Sequence, residues 1–113
     1  MNIEHYSFGK IIIDGKTYTS DVIIYPEKVD SSWWRKQGHS LHIDDLKDVI
    51  AEKPKLLILG TGNSGVMVVP EETVSHIKSK GIEVNIARTE EAVKIFNNFQ
   101  KEKRTIAALH LTC

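Results

Sequence analysis

The sequence has a single cysteine, Cys113, and only 3 prolines among 113 residues. One thiol excludes an internal disulfide and fits a reducing compartment, so a cytoplasmic protein is expected. With so little proline there is no Pro-rich linker, and no repeat or low-complexity tract divides the chain, so residues 1–113 read as one domain. Long apolar runs are also missing. None exceeds the length of Leu56–Leu59, far short of a membrane-spanning helix. The first ten residues carry Glu4, His5 and Lys10 and lack the apolar core of a signal peptide. Finally, neither charge dominates: Lys+Arg is 15 and Asp+Glu is 15. A neutral chain lacks the basic face that nucleic acid or an anionic membrane would call for.

What is present suits a soluble α/β domain: 41% hydrophobic and 27% charged residues, enough to bury a core. The first quarter reads as strands. Ile11-Ile12-Ile13 is a β-branched run closed by Asp14-Gly15, a strong hairpin signal, and Val22-Ile23-Ile24 is a further strand stopped by Pro26. Residues 26–42 are irregular and read as a long loop. Beyond it, Ile43, Leu46, Val49 and Ile50 recur at helical spacing up to about Lys53, before Pro54. Leu56–Leu59 is a continuous apolar strand, buried on both faces. Pro70 with Glu71 and Glu72 opens a second helix that Gly81 closes. Ile82, Val84 and Ile86 alternate with polar residues, as in a strand near a sheet edge. Thr89 suits the N-cap of a third helix running to about Lys103, with Ala92, Val93, Phe96 and Phe99 as its apolar stripe. Ile106–Leu109 starts a last buried strand ending near Leu111. The order predicts strands first, then alternating helix and strand, with 56–59 and 106–111 central. By pattern alone the sheet is mostly parallel.

Gly60-Thr61-Gly62-Asn63-Ser64-Gly65 matches the G-x-G-x-x-G letters of a dinucleotide site and follows a buried strand. That chemistry needs a helix to start inside the motif, so that free N–H groups and the helix dipole meet a pyrophosphate. Here Val66–Val69 reads as extended and Pro70 forbids a helix begun at Gly62. The glycines therefore shape a turn, and no cofactor is implied. A weaker possibility keeps the location. Ligands of open α/β sheets sit beyond the carboxyl ends of parallel strands. Gly60, Thr61, Gly62, Asn63 and Ser64 would share such an edge with Arg88 and Thr89, and Asn97 faces inward from the third helix, where its amide more readily satisfies a loop carbonyl than orients a ligand. Together they could take a small polar or anionic ligand.

Trp33-Trp34-Arg35 holds both tryptophans of the chain. Adjacent aromatics in a loop do not easily both turn to one side, which leaves two arrangements: one tryptophan anchors the loop while the other, with Arg35, faces solvent, or both indoles pin the loop to the core. Trp and Arg are the commonest anchors of protein interfaces, which points to a protein partner, a second copy of the chain included. His39-x-x-His42 and His110-x-x-Cys113 lack the paired cysteines of a structural zinc site and read as surface or capping histidines, so no metal is expected. Cys113 has no evident activating environment. The carboxylates fall on polar helix faces or first turns, not in an acid/base pair.

Taken together, Trp33-Trp34-Arg35, His39, Leu59-Gly60-Thr61-Gly62, Val69-Pro70, Gly81-Ile82-Glu83-Val84, Thr89-x-x-Ala92, Asn97 and His110-x-x-Cys113 carry a resemblance along nearly the whole chain. It resembles a small family of archaea, bacteria and eukaryotes that includes a mitochondrial complex I assembly factor and an adipogenesis-associated protein. The resemblance implies a three-layer α/β domain, with a mixed central sheet of about five strands, helices and an additional N-terminal β hairpin. It implies an assembly or regulatory role and supplies no catalytic residues. Gly60 and Gly62 match the family pattern, and Gly65 falls outside it.

Overall fold

The computed structural model describes all 113 residues. It begins with an antiparallel meander of β1 (Ile3–Ser7), β2 (Lys10–Ile13) and β3 (Lys16–Tyr18). Asp14 and Gly15 join β2 to β3, both at positive φ (48° and 79°), the pair of conformations that a two-residue hairpin turn requires. Then come β4 (Val22–Ile24), β5 (Val29–Asp30), a 3-10 turn over Ile43–Leu46 leading into α1 (Lys47–Ala51), β6 (Leu56–Gly60), α2 (Glu71–Ser79), β7 (Glu83–Ala87), α3 (Thr89–Phe99) and β8 (Thr105–Leu109).

The central sheet has the order β5-β4-β8-β6-β7. Strands β6, β7 and β8 are parallel, joined by the crossover helices α2 and α3. Strand β4 runs antiparallel to β8, and β5 antiparallel to β4. The sheet is therefore mixed, as the resemblance implies, and less parallel than the pattern alone suggests. Periodicity records burial, and β4 is as apolar as a parallel strand because both its faces are covered.

The two faces are dry in different company. Leu57, Leu59, Ile106 and Ala108 pack with Leu46, Val49 and Ile77 from α1, α2 and the turn before them. Leu56, Ile58, Ala107 and Leu109 pack with Ala92 and Phe96 of α3 and with Ile3, Ile11 and Ile13 of the meander. That alternation is the period-two geometry of strands. Burying Phe96, which is 1% exposed, contributes about 2–3 kcal/mol. Asn97 clasps the meander to α3: its Oδ1 accepts from Ile3 N–H at 3.0 Å and its Nδ2 donates to Ile3 C=O at 2.8 Å.

Several sequence expectations shift. The stretch 26–42 contains the short edge strand β5, too brief for a periodicity signal. The first helix is one 3-10 turn plus a short α-helix, not a continuous helix to Lys53. Helix α3 stops at Phe99, not near Lys103, and the last strand stops at Leu109. Thr89 is the first helical residue, not the N-cap, because its hydroxyl is used elsewhere. No helix is long and apolar enough to cross a membrane.

Candidate functional site

The carboxyl ends of β6, β7 and β8 lie along one edge, and the antiparallel β4 begins there, with Val22 opposite Leu109. Gly60–Ser64, Arg88–Thr89, His110 and Asp21 are therefore delivered to the same edge by four strands. Arg35 reaches it from the loop after β5.

Asp21, Arg35 and His110 form its charged centre. Asp21 Oδ2 accepts from Arg35 Nη1 at 2.8 Å and lies 2.8 Å from His110 Nδ1, while Asp21 Oδ1 accepts from Leu111 N–H at 2.7 Å. An ionised carboxylate only accepts, so His110 carries its proton on Nδ1. Arg35 Nη2, 3.0 Å from that nitrogen, then finds its acceptor in Gly38 C=O at 3.1 Å. The side chains of Arg35 and His110 are 6% and 7% exposed. Burial alone would raise the Asp21 pKa. The bonds from His110, the Leu111 amide and Arg35 overcome it and hold the carboxyl at about 2. His110 Nε2 and Arg35 Nε are buried without a partner. The Asp–His pairing resembles the orienting half of a hydrolytic triad, and no hydroxyl or thiol of the chain engages Nε2.

This cluster fixes the tryptophans. The Arg35 guanidinium lies 4.7 Å from the centroid of Trp33, and Trp33 Nε1 donates to Asp45 C=O at 3.0 Å. Trp33 is 9% exposed and Trp34 is 75% exposed. Burial thus alternates along 33–35, inward, outward, inward, as along an extended chain. One tryptophan anchors and the other is free, the first of the two arrangements the sequence leaves open. Arg35, however, goes inward with Trp33: successive extended side chains point to opposite sides, and Asp21 supplies the buried partner. Asp21 carries no motif, and its role is visible only as an acid standing immediately before an apolar strand.

The glycine loop is closed on the protein itself. Residues 66–70 are not helical and α2 begins at Glu71, as the sequence predicts. Asn63 N–H donates to Thr112 C=O at 2.7 Å, and the Ser64 and Val66 amides donate to the Cys113 main-chain oxygen at 3.3 and 3.0 Å. Gly62 sits at φ +105°, and a Cβ there would lie 2.3 Å from the Cys113 carbonyl carbon. Gly60 is also confined, though by side chains, since its Cβ would lie 2.8 Å from Leu109 and 2.9 Å from the Thr89 hydroxyl. That hydroxyl accepts from Gly62 N–H at 2.9 Å and donates to His110 C=O at 2.6 Å, which is why Thr89 does not cap its helix. Thr61 Oγ1 donates to Ala87 C=O, and Arg88 Nε donates to Asn63 C=O.

The edge thus unites Gly60–Ser64, Arg88 and Thr89. Asn97 does not join them, because its amide is spent on Ile3. His39 packs edge-on against the His110 ring with centroids 6.1 Å apart, so His110 is a buried residue and not a surface cap. His39, His42, His110 and Cys113 do not gather into a ligand set, and Cys113 is exposed.

Solved structures share this architecture. A conserved hypothetical protein from Pyrococcus horikoshii is 29% identical, superposes with a TM-score of 0.86 and aligns over 100% of both chains. An outer membrane protein from Bartonella henselae is 24% identical, with a TM-score of 0.82 over 98% of this chain and 94% of that one. A Mth938-like domain from Bordetella pertussis is 19% identical, with a TM-score of 0.78 over 97% and 85%. The last two likenesses show the fold alone. Residues 3–111 match the family described as a protein of unknown function (DUF498/DUF598), and the chain belongs to that family.

Proposed function

We propose that the domain is a non-enzymatic docking module of the assembly-factor kind, and that Trp34 is its anchor on a partner protein. The observation that carries this reading is a tryptophan 75% exposed between two residues that are locked down. A large apolar ring held out on a fixed backbone loses little entropy on binding, which is the property of an interface anchor. Val68, tied to the same loop by its ladder contact with Ser40, adds a second apolar side chain 60% exposed. A resemblance to a family containing an assembly factor supports the same reading. Binding of a small anion at Gly60–Ser64 has less support, because the Asn63, Ser64 and Val66 amides are already satisfied by Thr112 and Cys113.

The test is affinity capture from native extract with wild type and Trp34→Ala, both checked for equal thermal stability. An interface anchor is worth about 2 kcal/mol, roughly 30-fold in affinity. At least one captured protein should therefore disappear with Trp34→Ala. Identical sets of captured proteins would overturn the reading.

A further inference from the structure

We propose that the surface beside Trp34 takes a basic, extended segment of the partner, with a Lys or Arg side chain laid against the Trp34 indole; this rests on the docking reading above. Trp34 lines an open hollow of about 280 Å³ whose apolar part is Ile23 and Trp33. Four carboxylates line it, those of Asp30, Asp44, Asp45 and Asp48, against two ammonium groups, Lys36 and Lys47. On a chain of zero net charge, this face carries an excess of acid.

The carboxylates are not equally committed. Asp45 is used up, accepting from the Lys36 and His42 amides. Asp30 spends Oδ1 on Ser32. Asp44 is held only by Lys36 Nζ at 2.7 Å, in an ion pair whose side chains are 56% and 68% exposed, a weak bond that a second cation can share. Asp48 is exposed and has no pairing partner. The aromatic side is just as uneven. Trp33 already has a guanidinium over its ring, from Arg35, whereas no cation covers Trp34. An indole next to unspent carboxylates favours a cation, since the ring quadrupole and the acids attract the same charge.

Occupancy by a peptide rather than a single small cation follows from the neighbouring surface. A second hollow of about 420 Å³ shares Asp30 and Asp48 and adds Tyr25, Glu52 and one cation, Lys28, which lies over the Tyr25 ring, while Glu52 is paired with Arg104; its acids still outnumber its ammonium group. Two joined hollows with shared acids match alternate side chains of an extended segment, which stand roughly 7 Å apart on one side. An anionic membrane or a nucleic acid would be repelled by the same acids.

The probe is the capped peptide acetyl-Lys-Ala-Lys-Ala-Lys-amide, with acetyl-Glu-Ala-Glu-Ala-Glu-amide as control, titrated into the ¹⁵N-labelled full chain at low salt. The lysine peptide should give saturable shifts at the Trp34 indole N–H and at the amides of residues 30 and 44–48. These should weaken as salt rises. The glutamate peptide should give none. Trp34→Ala, and separately Asp44→Asn with Asp48→Asn, should each weaken binding about fivefold without lowering the melting temperature. Three results would overturn the proposal: no shifts, shifts spread equally over Glu71, Glu72, Glu90 and Glu91, or unchanged affinity in the double Asn variant. If a captured partner needs Trp34 yet binds the double Asn variant normally, docking stands and the basic segment does not.

Discussion

The glycine loop and the Trp33–Arg35 segment are both irregular, both packed near the carboxyl edge of the sheet and both held by hydrogen bonds across long sequence separations. They differ in what is left over. In the glycine loop the main-chain amides are the functional currency, and Thr112, Cys113 and Thr89 consume them. In the tryptophan segment the side chains of Trp33 and Arg35 are engaged, and one large side chain, Trp34, is left exposed. A motif that cradles ligands elsewhere is structural when its donors already have partners. A stretch without a motif becomes a candidate site when anchored neighbours hold out an exposed side chain.

The sharpest way to break this contrast is to loosen the tryptophan segment from below. Arg35→Ala leaves Asp21 buried beside His110 without its guanidinium, and stability should fall by about 3 kcal/mol. Trp34 fluorescence anisotropy should fall as well, because the segment loses its inward tether; unchanged anisotropy would mean that Arg35 does not hold it. Gly62→Ala attacks the other loop. A Cβ at φ +105° driven against Cys113 should cost about 2–3 kcal/mol in urea denaturation and shift the amide resonances of Asn63, Ser64 and Val66.

Acid titration sharpens the comparison further. The Asp21 pKa lies near 2 in the folded chain and near 3.8 when unfolded. The unfolded chain thus binds more protons in that interval, and stability drops as pH falls through it. The contribution is complete above about pH 5 and amounts to about 2 kcal/mol. Asp21→Asn should remove this part of the acid limb in denaturation midpoints measured between pH 2 and 5. The smallest effect belongs to Trp34→Ala, within about 0.5 kcal/mol of wild type in thermal unfolding, because the ring is mostly in solvent. A larger loss would mean that Trp34 supports the fold and is not held in reserve.

How much was legible beforehand follows from the range of the interactions. The Asp14-Gly15 turn, the apolar strand at Leu56–Leu59, the helix from Pro70 to Gly81 and the extended stretch 66–70 rest on local sterics and periodicity, and all were readable. Thr89 misled because an N-cap preference is a local statement, and its hydroxyl found partners 27 and 21 residues away, at Gly62 and His110. Asn97 was correctly turned inward with its amide on the main chain, but that the partner is Ile3, 94 residues distant, was not readable.

The amino-acid order by itself settled the α/β class, the burial of the sheet strands and the fact that the glycines form a turn without a helix behind it. Each of these depends on backbone sterics and on which side chains avoid water, both carried by neighbouring residues. Only the tertiary structure decided that β4 runs against β8, and hence that Asp21 meets His110 across 89 residues and Arg35 turns inward while Trp34 stays outside. Those outcomes depend on pairing between distant charges, whose desolvation is tolerable only when every partner arrives at one place.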